Sequence, residues 1–117
     1  MIKITNSLFP FRLNIKEKNP IELTLKIKNL GVEDKFISFD VVLEKTLSFD
    51  KSGLKKSISV RHGILKPDET IAERLDIFPF QGIKDGDHRV LVIVNEHYLD
   101  YNSLKQKTEK VIIIKSF

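Results

Sequence analysis

The 117-residue chain contains no cysteine, so a disulfide framework, a thiolate metal site and a cysteine nucleophile are all excluded. It has no long apolar run. The longest unbroken one, Val111 to Ile114, falls far short of the roughly 20 residues a spanning helix needs. The opening M-I-K-I-T-N-S-L-F-P-F turns polar after four residues and lacks the apolar core of a secretory leader, so a soluble, cytoplasmic chain is expected. No stretch carries apolar residues at a helical period. Serine never sits in a G-x-S-x-G elbow, and no glycine-rich phosphate loop is present.

Arginine is scarce as well. The formal charge of +4 invites a nucleic-acid reading, but only Arg12, Arg61, Arg74 and Arg89 among the 20 basic residues are arginine. The lysines are spread along the chain beside acids, as on a solvated surface. Nucleic-acid sites cluster their bases, favour arginine and interleave aromatics. Lys55, Lys56, Lys105, Lys107 and Lys110 make a basic patch only if the fold brings them together. Nucleic acid is therefore not the expected partner.

What the chain does have is alternation. In Pro20 to Gly31, Ile21, Leu23, Leu25 and Ile27 alternate with Glu22, Thr24, Lys26 and Lys28, the period of a half-buried strand. Asn29-Leu30-Gly31 supplies the turn that ends it. Ahead of it, Ile2 and Ile4 mark a first strand broken at Asn6-Ser7. Phe11, Leu13 and Ile15 continue as the same edge strand beyond a kink at Pro10. After the turn, Ile37, Phe39, Val41 and Leu43 form a second alternating strand, either antiparallel to the first or crossing to an opposite sheet. Lys45 to Leu54 reads as a turn-rich excursion.

A short strand then carries Ile58 and Val60, and Pro67-Asp68-Glu69 makes a turn. Ile71, Leu75 and Ile77 share one strand phase, with Glu73 intruding. Asp85-Gly86 is a further turn, since glycine accepts positive φ. His88 to Asn95 is apolar on both faces, through Leu91 and Ile93 on one and Val90, Val92 and Val94 on the other. It should be a central strand that a two-sheet sandwich buries on both sides. Glu96 to Lys105 reads as a tyrosine-bearing loop and Lys110 to Lys115 as the last strand. About seven strands with frequent turns predict an all-β, immunoglobulin-like, two-sheet antiparallel β-sandwich, with residues 1–117 as one domain.

The order of these signals resembles immunoglobulin-like bacterial and archaeal modules of the CARDB type (cell-adhesion-related domain found in bacteria). The resemblance is carried by Asn29-Leu30-Gly31, the strand Phe39 to Leu43, the turn Leu65 to Thr70, the loop Gly82 to Gly86 and the strand Val90 to Asn95. Asp68 stands where that pattern usually has glycine, and no aromatic occurs in Ile71 to Ile77. The resemblance implies a binding or structural role without naming a ligand.

For catalysis the candidates are His62, His88 and His97, with Asp85, Asp87, Glu96 and Asp100 as neighbours. His88 and His97 are an odd number of residues apart, so on one regular strand they face opposite ways and share neither metal nor substrate. All three histidines are expected on the surface. Asp85-Gly86-Asp87 lacks the further acids of a calcium loop and reads as a tight turn. No enzyme, metal or cofactor is expected.

The aromatics are the functional lead. Phe9-Pro10-Phe11 and Phe78-Pro79-Phe80 repeat one tripeptide at strand ends, and Tyr98 and Tyr101 mark a third aromatic loop. Either the phenylalanines plug the core, or one of each pair points outward and the loops converge at one end as a contact surface. On the second reading Phe9, Phe11, Phe78, Phe80, Tyr98 and Tyr101 bind a protein partner, and homodimerisation through edge strands is compatible with it. The alternative function is a small cysteine-free protease inhibitor, whose loop would be Lys45 to Leu54 held rigid in advance.

Overall fold

The computed structural model describes residues 1–17, 19–80 and 83–117. Lys18 in the expected connection to Pro20, and Gln81 and Gly82 ahead of the Asp85-Gly86 turn, lie outside the described residues. Seven long strands carry the fold: β1 (Ile2–Phe9), β3 (Ile21–Asn29), β4 (Lys35–Leu43), β6 (Ser57–Leu65), β7 (Thr70–Pro79), β8 (Gly86–His97) and β9 (Leu104–Ser116). Two pieces of two residues join them, β2 (Arg12–Leu13) and β5 (Leu47–Ser48). One sheet has the order β1-β3-β7-β5 and the other β2-β9-β8-β4-β6. This is the two-sheet immunoglobulin-like sandwich expected from the alternation.

β3 behaves as its sequence requires. Ile21, Leu23, Leu25 and Ile27 are fully buried and face the core, while β1 and β7 pair on either side of it. Opposite them the second sheet contributes Ile37, Phe39, Val41, Val90, Val92 and Val94, all likewise without exposure. β4 has crossed to this opposite sheet and is not the ladder neighbour of β3, the second of the two options its pattern allowed.

Four expectations change. Asn6-Ser7 does not break the first strand, because Asn6 and Ser7 pair with Leu25 and Thr24 and the ladder outweighs their turn preference. The kink at Pro10 does not join halves of one strand: the chain leaves the first sheet at Phe9 and enters the second at Arg12, where β2 runs parallel to the end of β9. The Phe9–Pro10 peptide is cis. β8 extends through Glu96 and His97, so the tyrosine loop begins at Tyr98. Lastly, β8 is central, between β9 and β4, but the sandwich buries only its valine face. Leu91 and Ile93 point to the outside and are half-buried.

Two further devices close the ends. Gly63 takes φ 90° where β4 and β6 change register between Ile37 and Ser38, a bulge in which His62 has no partner in the ladder. Asp68 takes φ 64°, the conformation that a glycine would supply in that turn.

Candidate interaction surface

The pleat puts every second residue of β4, β8 and β9 on the outer face of the five-stranded sheet, and the register decides which of them touch. Val42 lies opposite Leu91, and Leu91 opposite Val111, so three strands carry one continuous apolar row. Ile93 flanks the row toward the tyrosine end and Ile113 toward the other. Val111 is 54% exposed, Ile113 39% and Val42 38%. The outer face of the other sheet is different. β1, β3 and β7 present Lys3, Thr5, Ser7, Glu22, Thr24, Lys26, Lys28, Thr70, Arg74 and Asp76 there, with Ala72 and, at one end, Phe9 and Phe78 as the apolar members. Valine, leucine and isoleucine are absent from those outward positions.

Beside the apolar row, toward the tyrosine loop, the same face sinks into a recess of about 420 Å³. Arg61, Ser38, Asn95 and Lys107 form a row across β6, β4, β8 and β9, with Asp40, Ser59, His97 and Tyr101 around them. Asp40 accepts from Ser59 Oγ at 2.5 Å and from Asn95 Nδ2 at 3.1 Å. The Arg61 guanidinium lies 4.8 Å from the Tyr101 ring centroid, a cation–π distance. Ser38 Oγ and His97 Nε2 are hydrogen-bonded at 2.7 Å, the spacing of a nucleophile and its base. Among the described residues no third group of such a constellation is present: His97 Nδ1 is buried and has no hydrogen-bond partner there, its ring packed at centroid distances of 6.1 Å from Phe36 and 5.4 Å from Tyr101.

Only His62 is exposed, as all three histidines were expected to be. His97 is buried on the outer face. His88, 5% exposed, faces the interior, where Nδ1 bonds Thr46 Oγ1 at 2.9 Å and Nε2 bonds Ser116 Oγ at 2.7 Å. The two imidazoles do lie on opposite faces, as their odd separation requires. No sequence signal marks His88 or His97 as buried. Both depend on hydroxyls brought from distant parts of the chain.

The aromatic residues split between the two ends. Phe9 pairs with Glu22 at the start of β3, and Phe78 and Phe80 lie at the end of β7 beside that same start. Phe11 precedes β2 at this end. Tyr98 and Tyr101 follow β8 at the other end, where Phe36 pairs with His97. The molecule measures 46 Å along its longest axis, and the aromatic loops do not converge. Within the first tripeptide both rings point to solvent, Phe9 79% and Phe11 74% exposed. In the second, Phe78 is half-buried and Phe80 is exposed. Tyr98 is exposed and Tyr101 half-buried.

The lysine pairs do not meet either. Lys55 and Lys56 precede β6, at the opposite end from Lys105 and Lys107, with β4 and β8 between β6 and β9.

The Lys45 to Leu54 excursion folds down onto the sheet edge. Leu47 and Ser48 are fully buried as β5, and Gly53 packs so closely under Phe80 that a Cβ there would come within 2.3 Å of the ring. Asp50 holds the turn, accepting from Ser48 Oγ at 2.8 Å and from the Gly53 and Leu54 amides at 3.0 and 3.2 Å. The Ser48 bond foremost, with further hydrogen bonds from Ser52 and the Lys55 and Leu54 amides, keeps its carboxyl below the ordinary value of 3.8. The turn is held by these bonds, and Leu54 at its far side is 82% exposed.

No family model matches the chain, and no curated protein matches it. Solved structures do. A native alpha-2-macroglobulin from Escherichia coli, spanning domain MG7 to the C-terminus, aligns over 100% of this chain with a TM-score of 0.72 at 14% identity. The chain spans 16% of that protein. A FixG-related protein from Vibrio parahaemolyticus aligns over 98% of this chain and 95% of its own, at TM-score 0.56 and 14% identity. AvmM, described as catalysing macrocyclisation in alchivemycin A biosynthesis, aligns over 97% of this chain and 88% of its own, at TM-score 0.58 and 9% identity. Identities this low establish the sandwich fold alone.

Proposed function

We propose that this chain is a non-enzymatic interaction module of the immunoglobulin-like class, akin to the CARDB type, which binds a protein through the outer face of its five-stranded sheet. The observation that carries this reading is the row Val42, Leu91 and Val111 with Ile93 and Ile113 beside it, a side-chain set that belongs in a core but stands in solvent. These side chains are already about half covered, so burying the remainder is worth roughly 1 kcal/mol each, and a face of this kind gains from being covered. Scattered surface hydrophobics need no explanation, whereas a contiguous patch on one sheet, with none on the other, does.

The edges of the five-stranded sheet are poorer docking sites. β6 carries the His62-Gly63 bulge, and β9 presents Lys105, Lys107 and Lys110, both common guards against strand addition. At the catalytic candidate, Ser38 and His97, Nδ1 finds among the described residues no group that would orient the imidazole as a base.

A capture experiment tests the proposal. The wild-type chain and the Val111→Lys and Tyr98→Ala variants are used as bait in extracts of the source cells. A partner held by wild type and Tyr98→Ala but released by Val111→Lys is the expected result. A partner recovered equally with all three would place binding elsewhere and overturn the assignment of this face.

A further inference from the structure

We infer that the recess beside the apolar row takes a carboxylate side chain of the protein that covers this face; the inference rests on the reading just given. The ladder supplies the arrangement. Arg61, Ser38, Asn95 and Lys107 stand level with one another on β6, β4, β8 and β9. The two cations are therefore three strand spacings apart, about 14 Å between backbones, and both line the recess that lies between them.

The floor of the recess is satisfied from within. Asp40 accepts from Ser59 on one carboxylate oxygen and from Asn95 on the other, Asn95 Nδ2 also reaches Ser38 Oγ at 3.4 Å, and Ser38 is bonded to His97. Asn95 and His97 are each only 9% exposed. The cations are not satisfied in this way. Among the described residues the one ion pair is Lys35 with Glu96, so neither Arg61 nor Lys107 has a carboxylate within 4.0 Å. Glu109, the next outward residue of β9, is not among the groups that line the recess. The contact with the Tyr101 ring steadies the Arg61 guanidinium without neutralising it. What remains unmet is positive charge, and its natural complement is a carboxylate, whose two oxygens suit a guanidinium.

The rest of the face agrees. Its outward strand positions carry Arg12, Arg61, Arg89, Lys107 and Lys115 against Asp40, Asp87 and Glu109, an excess of two positive charges that favours the approach of an acidic partner. Val42 and Leu91 lie four residues along their strands from Ser38 and Asn95, a distance of about 13 Å. An extended segment with an apolar residue and an acid four positions apart sets one on the row and the other over the recess. Nucleic acid fits this face less well. A single carboxylate sits between the two cations, whereas a run of phosphates crossing the face must pass Asp40 and Glu109, which repel it.

Titration followed by amide NMR tests the inference, with terminally blocked synthetic heptapeptides as probes. Each peptide holds a valine and, four positions on, a glutamate, a glutamine or a lysine. The glutamate peptide should shift the Ser38, Arg61, Asn95 and Lys107 amides and bind about tenfold or more tighter than the glutamine peptide. Arg61→Gln and Lys107→Gln should each shrink that preference, and Arg74→Gln, on the outer face of the other sheet, should leave it unchanged. Lys107 is exposed, so its variant remains informative if the loss of Arg61 disturbs Tyr101. Equal affinity for the glutamate and glutamine peptides overturns the carboxylate and leaves the capture result above to decide the module reading. Failure of every peptide to bind overturns it in the same way. A deoxythymidine dodecamer that binds tighter than the glutamate peptide, and is lost in Arg61→Gln, overturns it in favour of nucleic acid.

Discussion

Asn29 shows how much one side chain does in this fold. It is fully buried at the end of β3, where its Nδ2 donates to Glu33 O at 2.8 Å and to Leu65 O at 3.0 Å, and its Oδ1 accepts from the Gly31 amide at 2.9 Å. Its backbone carbonyl also accepts from the Asp68 amide at 2.8 Å. One residue thus ties the β3–β4 turn to the end of β6 in the opposite sheet and to the β6–β7 turn. Asn29→Ala leaves two carbonyls and an amide without these partners and should cost about 2–4 kcal/mol, read from urea unfolding. The turn was legible in Asn29-Leu30-Gly31, but the clamp was not, because Leu65 lies 36 positions away. Asp68 makes the reverse case. The sequence pattern has glycine there, and the φ of 64° explains why. Asp68→Gly relieves the left-handed strain and should raise stability by up to about 1 kcal/mol, by the same measurement.

At the level of the element, β8 illustrates where alternation stops being readable. Its valines and isoleucine could be assigned to faces at once, whereas Glu96 and His97 looked like the beginning of a loop. Glu96 occupies an inward position, 3% exposed, because Lys35 on the neighbouring strand reaches it at 3.3 Å. A charged residue continues a buried face only when its partner is in place, and pairing between strands is not written in local sequence. Lys35→Met strands the carboxylate and should destabilise by about 3–5 kcal/mol, while Lys35→Met with Glu96→Leu should regain most of that loss. Unfolding of both variants in urea compares the two. The β5 turn carries a pH signature of its own. Asp50 has its carboxyl pKa lowered in the folded chain, so its contribution is present above the unfolded value near 3.8 and is lost as the pH falls through the folded value. Replacing it by asparagine removes that titration. Asp50→Asn should therefore lose stability less steeply than wild type below about pH 4, as followed by thermal unfolding in a pH series.

For the molecule as a whole, the sandwich has one polar outside and one apolar outside, and the two should separate stability from association. The sequence displayed the cause, since Leu91 and Ile93 stood out on a strand apolar on both faces. Its alternation could not say that the sandwich would cover one face only, because covering both needs a third layer, and the described strands all belong to the two sheets. Ile27 and Ile113 make the comparison direct. Ile27 is fully buried between the sheets, and Ile113 is 39% exposed on the outer face. Ile27→Ala removes packed atoms from a filled core and should cost about 2–5 kcal/mol. Ile113→Thr keeps the β-branched shape at a position where water already reaches, and should change the unfolding free energy of the dilute monomer by no more than about 0.5 kcal/mol. In the presence of the protein partner recovered by capture, the same Ile113→Thr chain should gain less apparent stability than wild type, because a partner that binds only the folded chain adds its binding free energy to the native state. A penalty at Ile113 as large as at Ile27 in dilute solution would mean that the face is packed within the monomer. Equal gains for Ile113→Thr and wild type with the partner present would mean that the partner does not use the face.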